Sequence, residues 1–189
     1  DAVDIMQHSV TKMQRLMQLL KTGLSGDKPL STNLVAIVTT AVNNCMAGKP
    51  APVFSCDPEE VWLTMDSDRM CSVMENLIHN AQDATPDDGE VNVTLDSKNG
   101  QVEILVKDDG CGMDATFVRE RLFRPFDTTK GDTGMGIGAY ECKEYITSLG
   151  GEIRVESKPG EGTSMRVILP LAAATQHVGD ENKDRELIA

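Results

Sequence analysis

The sequence predicts an α+β fold, a mixed sheet with helices on one face and a separate helix ahead of it, and three observations carry that prediction. Val91, Val93 and Leu95 alternate with polar residues, as do Val102, Ile104 and Val106, with Ser97 to Gly100 as the turn between them, so the two runs form a hairpin. A second hairpin is expected over 151–157 and 163–169, around Pro159-Gly160. Between the earlier strands and the first hairpin, Met70, Val73, Met74, Leu77, Ala81 and Ala84 recur at helical spacing.

Taken in order, Ile5, Ser9, Met13, Leu16 and Leu20 define a helix over 1–22 that stops at Thr22-Gly23. A linker through Pro29 leads to a helix near 32–46, then a Pro-rich turn and short strands near 52–56 and 61–65. Asp66 or Ser67 caps the next helix, on which Asn76, Asn80 and Asp83 share a polar stripe opposite the apolar face. Asn is a poor helix former, so two in mid-helix point to hydrogen-bonding or metal-binding duty, with a solvated face as the alternative. Met135 to Leu149 is expected to be helical. The organisation is therefore 1–24 a partial helical region, 25–171 the main domain and 172–189 a flexible tail, with no internal repeat.

The 189 residues, 40% of them apolar, suffice for one core plus an appendage. A net charge of −12 with no basic patch argues against a nucleic-acid or anionic-membrane surface, since either would repel the chain. The five cysteines, Cys45, Cys56, Cys71, Cys111 and Cys142, are odd in number and lack C-x-x-C spacing, which fits reduced thiols and a cytoplasmic setting. No apolar run approaches the roughly 18 residues of a membrane span, so attachment to a membrane would come only through upstream regions of a longer parent.

Two glycine clusters carry the chemistry. Gly134-Met135-Gly136-Ile137-Gly138 removes side chains where backbone amides would approach phosphate oxygens, and it runs into a helix whose amino end favours an anion. Such a cluster alone serves a plain turn equally well. Asp108-Asp109-Gly110-Cys111-Gly112-Met113 follows a strand end, and Phe123-Arg124-Pro125-Phe126 lies between the clusters.

With Glu75 to Ala84 upstream, these segments resemble the N box, first glycine box, Phe-rich box and second glycine box of the GHKL, or Bergerat-fold, ATPases, in the order found in sensor histidine kinases. Gly150 to Ser157, Gly160-Glu161-Gly162-Thr163 and Leu169-Pro170 are similar to the last strands of a histidine-kinase catalytic domain, so the resemblance covers roughly 31–171. It implies a two-layer α/β sandwich that binds ATP and Mg²⁺ and transfers the γ-phosphate to a histidine on a dimerisation helix. The stretch Thr128 to Glu141 is similar, more narrowly, to sensor kinases of PEP-CTERM protein-sorting systems. A homodimeric parent and a response regulator are the implied partners, and residues 1–22 look like the second helix of the dimerisation hairpin.

The resemblance also implies residue roles. Asp108 would accept a hydrogen bond from the adenine amine, selecting adenine over guanine, which presents a carbonyl there; a turn carboxylate is the plainer reading. Gly110 and Gly112 would let the base lie against backbone, beside Met113, and Thr163 would hold water near Asp108. Asn80 resembles the Mg²⁺ ligand, with Asn76 beside it, while Asp83 departs from the basic residue of many sensor kinases and its role stays open. Lys130 is the cation placed for the terminal phosphates, a solvated lysine being the alternative, and Asn76, Asn80 and Lys130 are the expected catalytic residues. Thr129, Thr133, Gly134, Met135, Gly136, Ile137 and Gly138 would line the phosphates, and Phe123 and Phe126 would anchor a lid over Asp127 to Thr133.

None of His8, His79 and His177 has the sequence context of the family's phosphoacceptor, so the acceptor is expected outside this chain. Two other readings stay open, a clamp ATPase of the chaperone or mismatch-repair type and a nucleotide-binding module without catalysis.

Overall fold

The computed structural model describes residues 30–127 and 136–171. The expected helix over 1–22, most of the lid and the tail over 172–189 lie outside them.

Chain order gives β1 (Leu30–Asn33), α1 (Leu34–Cys45), β2 (Val53–Cys56), β3 (Trp62–Met65), α2 (Ser67–Ala84), β4 (Val91–Lys98), β5 (Gln101–Asp108), α3 (Ala115–Glu120), α4 (Gly138–Ser148), β6 (Glu152–Lys158) and β7 (Gly162–Pro170). Five strands form one sheet in the order β2-β4-β5-β7-β6, with β2 parallel to β4 and every other pair antiparallel. β1 and β3 make a separate two-stranded ribbon. The expected mixed sheet with helices is thus present, and no helix of the described residues is long and apolar enough to cross a membrane.

One face of the large sheet is apolar in successive cross-strand rows. Leu95, Ile104, Val167 and Ile153 form one row; Val93, Val106, Met165 and Val155 form the next. Residues of alternate parity on β4 and β5 stay partly or fully exposed, so the helices lie on the face these rows define. α2 supplies Met70, Val73, Met74, Leu77, Ile78 and Ala81 to that core, and α1 supplies Leu34, Val38, Ala41 and Val42. α4 adds Cys142, Tyr145 and Ile146, and the Tyr145 hydroxyl fastens it to the start of α2 by donating to Asp66 O at 2.9 Å and accepting from Asp66 N at 3.0 Å.

Several boundaries differ from expectation for identifiable reasons. The chain expected to begin a helix near residue 32 is strand β1, and the helix starts after Asn33. The Asn33 side chain accepts from Val35 N at 3.1 Å as the cap and from Val61 N at 3.2 Å across to the segment before β3. Asp66, rather than Ser67, caps α2 by accepting from Arg69 N at 3.0 Å. The hairpin turn contracts to Asn99-Gly100, with φ of 56° and 75°, the left-handed pair that a two-residue loop needs. α4 starts at Gly138 instead of Met135 because Gly136 has φ of 63°, outside the helical region. Ala84 is only half-buried, and Gln82 takes its place inside, donating through Nε2 to Cys45 O and Pro50 O at 3.0 Å each.

Candidate nucleotide site

At the end of the sheet the apolar rows give way to a polar one. Val91, Asp108, Thr163 and Ser157 are register partners across β4, β5, β7 and β6, one step beyond the row of Val93. This row lies on the helix-bearing face, so Asp108 and Thr163 are 6% and 7% exposed although both are polar. A carboxylate that deep needs donors, and two backbone amides supply them: Gly110 N at 3.0 Å and Thr163 N at 3.1 Å, both to Oδ1. Burial pushes the Asp108 carboxyl above the ordinary range, against the two amides that pull it down. The result is an acceptor held in fixed orientation, with Oδ2 outside these two bonds.

The glycine loop after Asp108 is pinned to both neighbours of the row. Cys111 N donates to Ala84 O at 2.9 Å, satisfying a carbonyl at the end of α2, and Gly160 N donates to Cys111 O at 2.8 Å. A Cβ at Gly110 would overlap the Ala84 carbonyl, and one at Gly112, whose φ is 64°, would overlap the Lys158 carbonyl. The fold itself therefore requires both glycines, apart from any close approach by a base. Half-buried Met113 follows, its amide donating to Ser157 Oγ at 2.8 Å.

Asn76 and Asn80 are half-buried and Asp83 is exposed, one turn apart in succession along α2, as the stripe predicts. The stripe faces the start of α4: a Cβ at Gly138 would come within 3.2 Å of Asn76 Oδ1. The N-terminus of α4 thus approaches the Asn76 amide of α2, an arrangement suited to an anion on one side and a hard cation on the other. Among the described residues no group of three or more His, Cys, Asp and Glu could hold a metal. Amide oxygens of the kind Asn76 and Asn80 carry suit a hard ion such as Mg²⁺, which keeps waters and takes phosphate ligands.

The Phe-rich box departs from expectation. Phe123 is half-buried with the Lys143 ammonium 4.9 Å from its ring centre, but Phe126 is 60% exposed and has φ of 66°. Phe126 is therefore no apolar anchor. Its backbone does the fastening instead, donating to Gly136 O at 2.9 Å, while Asp127 forms a two-pronged ion pair with Arg121 at 2.9 and 2.6 Å. That pair holds the Asp127 carboxyl below its usual range. Ile137 is buried just before α4. Thr129, Lys130, Thr133, Gly134 and Met135 lie outside the described residues.

Sequence reasoning missed Ser157 as a site residue. Its hydroxyl takes the Met113 amide, donates to Gly162 O at 3.1 Å and lies 2.9 Å from Thr163 Oγ1. It also missed α3, although Asp114 caps it visibly by accepting from Thr116 N and Phe117 N at 2.9 Å each.

Residues 65–173 match the family described as histidine kinase-, DNA gyrase B- and HSP90-like ATPases, and the chain belongs to that family. Curated relatives that it resembles include sensor proteins. It is 42% identical over 106 residues to the C4-dicarboxylate transport sensor protein DctB of Rhizobium meliloti, a match covering 55% of this chain and 17% of that protein. It is 28% identical over 180 residues to the sensor protein EvgS of Escherichia coli K12, covering 87% of this chain and 15% of EvgS. The chain thus spans about a sixth of the length of these relatives. Among solved structures, the catalytic domain of histidine kinase ThkA superposes with a TM-score of 0.66 at 25% identity, covering 76% of this chain and 96% of that one. The mycobacterial sensor histidine kinase MprB shares the fold at the same TM-score and 21% identity, over 75% of this chain and 97% of MprB. The sheet with its helices is accordingly the Bergerat fold of histidine-kinase catalytic domains.

Proposed function

We propose that this chain is the ATP-binding catalytic domain of a two-component sensor histidine kinase, and that it transfers the γ-phosphate of ATP to a histidine on a dimerisation helix. The observation that carries the reading is the polar row at the sheet end. Asp108, buried and oriented by two amides, offers an acceptor to an exocyclic amine, and the glycine loop joins it directly to the helix bearing Asn76 and Asn80.

In this reading the work of the chain is positioning. Asp108 fixes the base, the start of α4 receives phosphate oxygens through backbone amides, and Asn80 with Asn76 beside it orients the triphosphate. Mg²⁺ held at Asn80 would supply neutralisation of phosphate charge. Lys130 adds a cation to the terminal phosphates, with Thr129, Thr133, Gly134 and Met135 lining them. Asp83, at the exposed end of the stripe, belongs to the nucleotide's periphery. A homodimeric parent and a response regulator complete the proposed system, with this domain on the cytoplasmic side.

The deciding experiment incubates the chain with labelled ATP and a supplied histidine-bearing dimerisation hairpin from a sensor kinase. Acid-labile, base-stable label on the hairpin is expected, with none on the chain alone. Steady ATP hydrolysis without transfer would assign the chain to the clamp ATPases, and binding without either activity would make it a regulatory module. Self-labelling mapped to His8 by mass spectrometry would sink the claim of an acceptor on a separate helix.

A further inference from the structure

The geometry assigns Ser157 a part in nucleotide selection: it is a positioning residue that fixes the Thr163 hydroxyl as a hydrogen-bond acceptor toward the six position of the bound purine. The inference rests on the ATP reading above and extends it to a residue outside the motifs.

It follows from a count of hydrogens. Ser157 Oγ has one hydrogen and two lone pairs. The Met113 amide, 2.8 Å away, can only donate and takes one lone pair. The Gly162 carbonyl, 3.1 Å away, can only accept and takes the hydrogen. What remains for the Thr163 hydroxyl at 2.9 Å is the second lone pair, so Thr163 donates its own hydrogen to Ser157. The lone pairs of Thr163 Oγ1 are then what that oxygen offers to anything else.

Asp108, beside Thr163 in the same cross-strand row, is likewise an acceptor. Two acceptors side by side match an exocyclic amine with its two hydrogens, met directly or through a water. A purine with a six-position carbonyl would bring lone pairs against lone pairs, a mismatch that a buried site punishes strongly. Without the Ser157 hydroxyl, the Thr163 hydroxyl is free to rotate and donate, and the carbonyl purine loses part of its penalty. Selectivity would fall although no group contacting the base has been removed.

Competition of ATP and ITP against a fluorescent nucleotide tests this, because the two bases differ only in the six-position group and the hydrogen on the adjoining N1. The native chain should prefer ATP, and Ser157→Ala should narrow the preference roughly 5-fold, the scale of one neutral hydrogen bond. Ser157→Thr, which keeps a hydroxyl, should restore it. Equal weakening of both nucleotides by Ser157→Ala, or an unchanged preference, would reduce Ser157 to a structural role and overturn the inference. Thr163→Val guards against a misfolded Ser157→Ala: it should narrow the preference by itself, and adding Ser157→Ala to it should change nothing further. Additive effects in that pair, or a full preference in Thr163→Val, would also overturn the inference. A native chain that binds ATP and ITP equally would instead remove the adenine reading on which it stands, before any variant is compared.

Discussion

Thr163 and Asp108 are register partners on β7 and β5, and the Thr163 amide closes the pair by donating to Asp108 Oδ1 at 3.1 Å. Beside it Gly162, with φ of 84°, runs so close to β5 that a Cβ there would overlap the Asp108 carbonyl. The Asp108 carboxylate is thus held jointly by β7 and by the glycine loop that follows β5.

Asp108→Asn is expected to weaken ATP binding by about 1.5 to 3 kcal/mol, the scale of a hydrogen bond to a charged group, while weakening GTP far less. Asn keeps an acceptor for the two amides, so the fold should persist. Calorimetric titration with both nucleotides checks it, and an unchanged ATP affinity would remove the adenine assignment.

How legible this site was differs by residue. Asp108, Gly110 and Gly112 could be read directly, since a strand end followed by alternating glycines needs no partner to be noticed. Ser157 could not, because its meaning depends on being opposite Thr163 in register and beside a loop 44 residues earlier. Strand β1 was hidden for the same reason: Leu30 to Asn33 has little strand character, and only pairing with β3 makes it one. Phe126 misled because an aromatic residue was read as an anchor by composition, whereas a left-handed backbone turns it outward.

Asn80→Ala should separate metal from nucleotide. In the proposed site Asn80 supplies a direct oxygen ligand, and losing it would weaken Mg²⁺ support of the triphosphate more than contacts to the base, so ATP binding should lose its dependence on Mg²⁺ while metal-free ADP still binds. Titrations with and without Mg²⁺ read this. Equal loss of metal-free ADP and Mg²⁺-ATP binding would mean a damaged helix instead.

The glycines should separate into two classes by substitution. Gly100 has φ of 75° with nothing within 4 Å of a Cβ, so Gly100→Ala should cost only the left-handed penalty of about 1 to 2 kcal/mol. Gly112→Ala adds overlap with the Lys158 carbonyl to a φ of 64°, and should cost roughly 2 to 5 kcal/mol in all. Urea unfolding of both variants checks the order, and equal costs would contradict the packing described around the first glycine box.

Gln82→Leu tests the support of the N-box helix away from the nucleotide. The amide of Gln82 is buried and supplies Pro50 O and Cys45 O, and of these Cys45 O also accepts from Gly48 N at 3.0 Å. Only the Pro50 carbonyl therefore loses its described donor, and the expected cost is about 1 to 3 kcal/mol with an unchanged denaturant slope. A cost near zero would show that water replaces the amide there.

The acid limb of ATP binding should begin at a higher pH than an ordinary aspartate would give. Burial raises the Asp108 carboxyl above its unfolded value, so the sign follows in two parts. For stability, a raised acid favours the folded state below the unfolded pKa, and that contribution disappears as pH rises through the folded pKa. For recognition the direction is opposite, because only the ionised carboxylate accepts from the adenine amine without competing for a proton. As pH falls through the raised pKa, ATP affinity should drop while Asp108's own contribution to stability grows. Protonation of adenine itself at lower pH is common to native and variant protein and cancels in their ratio. The native-to-Asp108→Asn affinity ratio, measured by titration from neutral pH downward, should therefore shrink toward one ahead of any loss of fold seen by circular dichroism. A ratio constant across that range would show that Asp108 does not bind the base as a carboxylate.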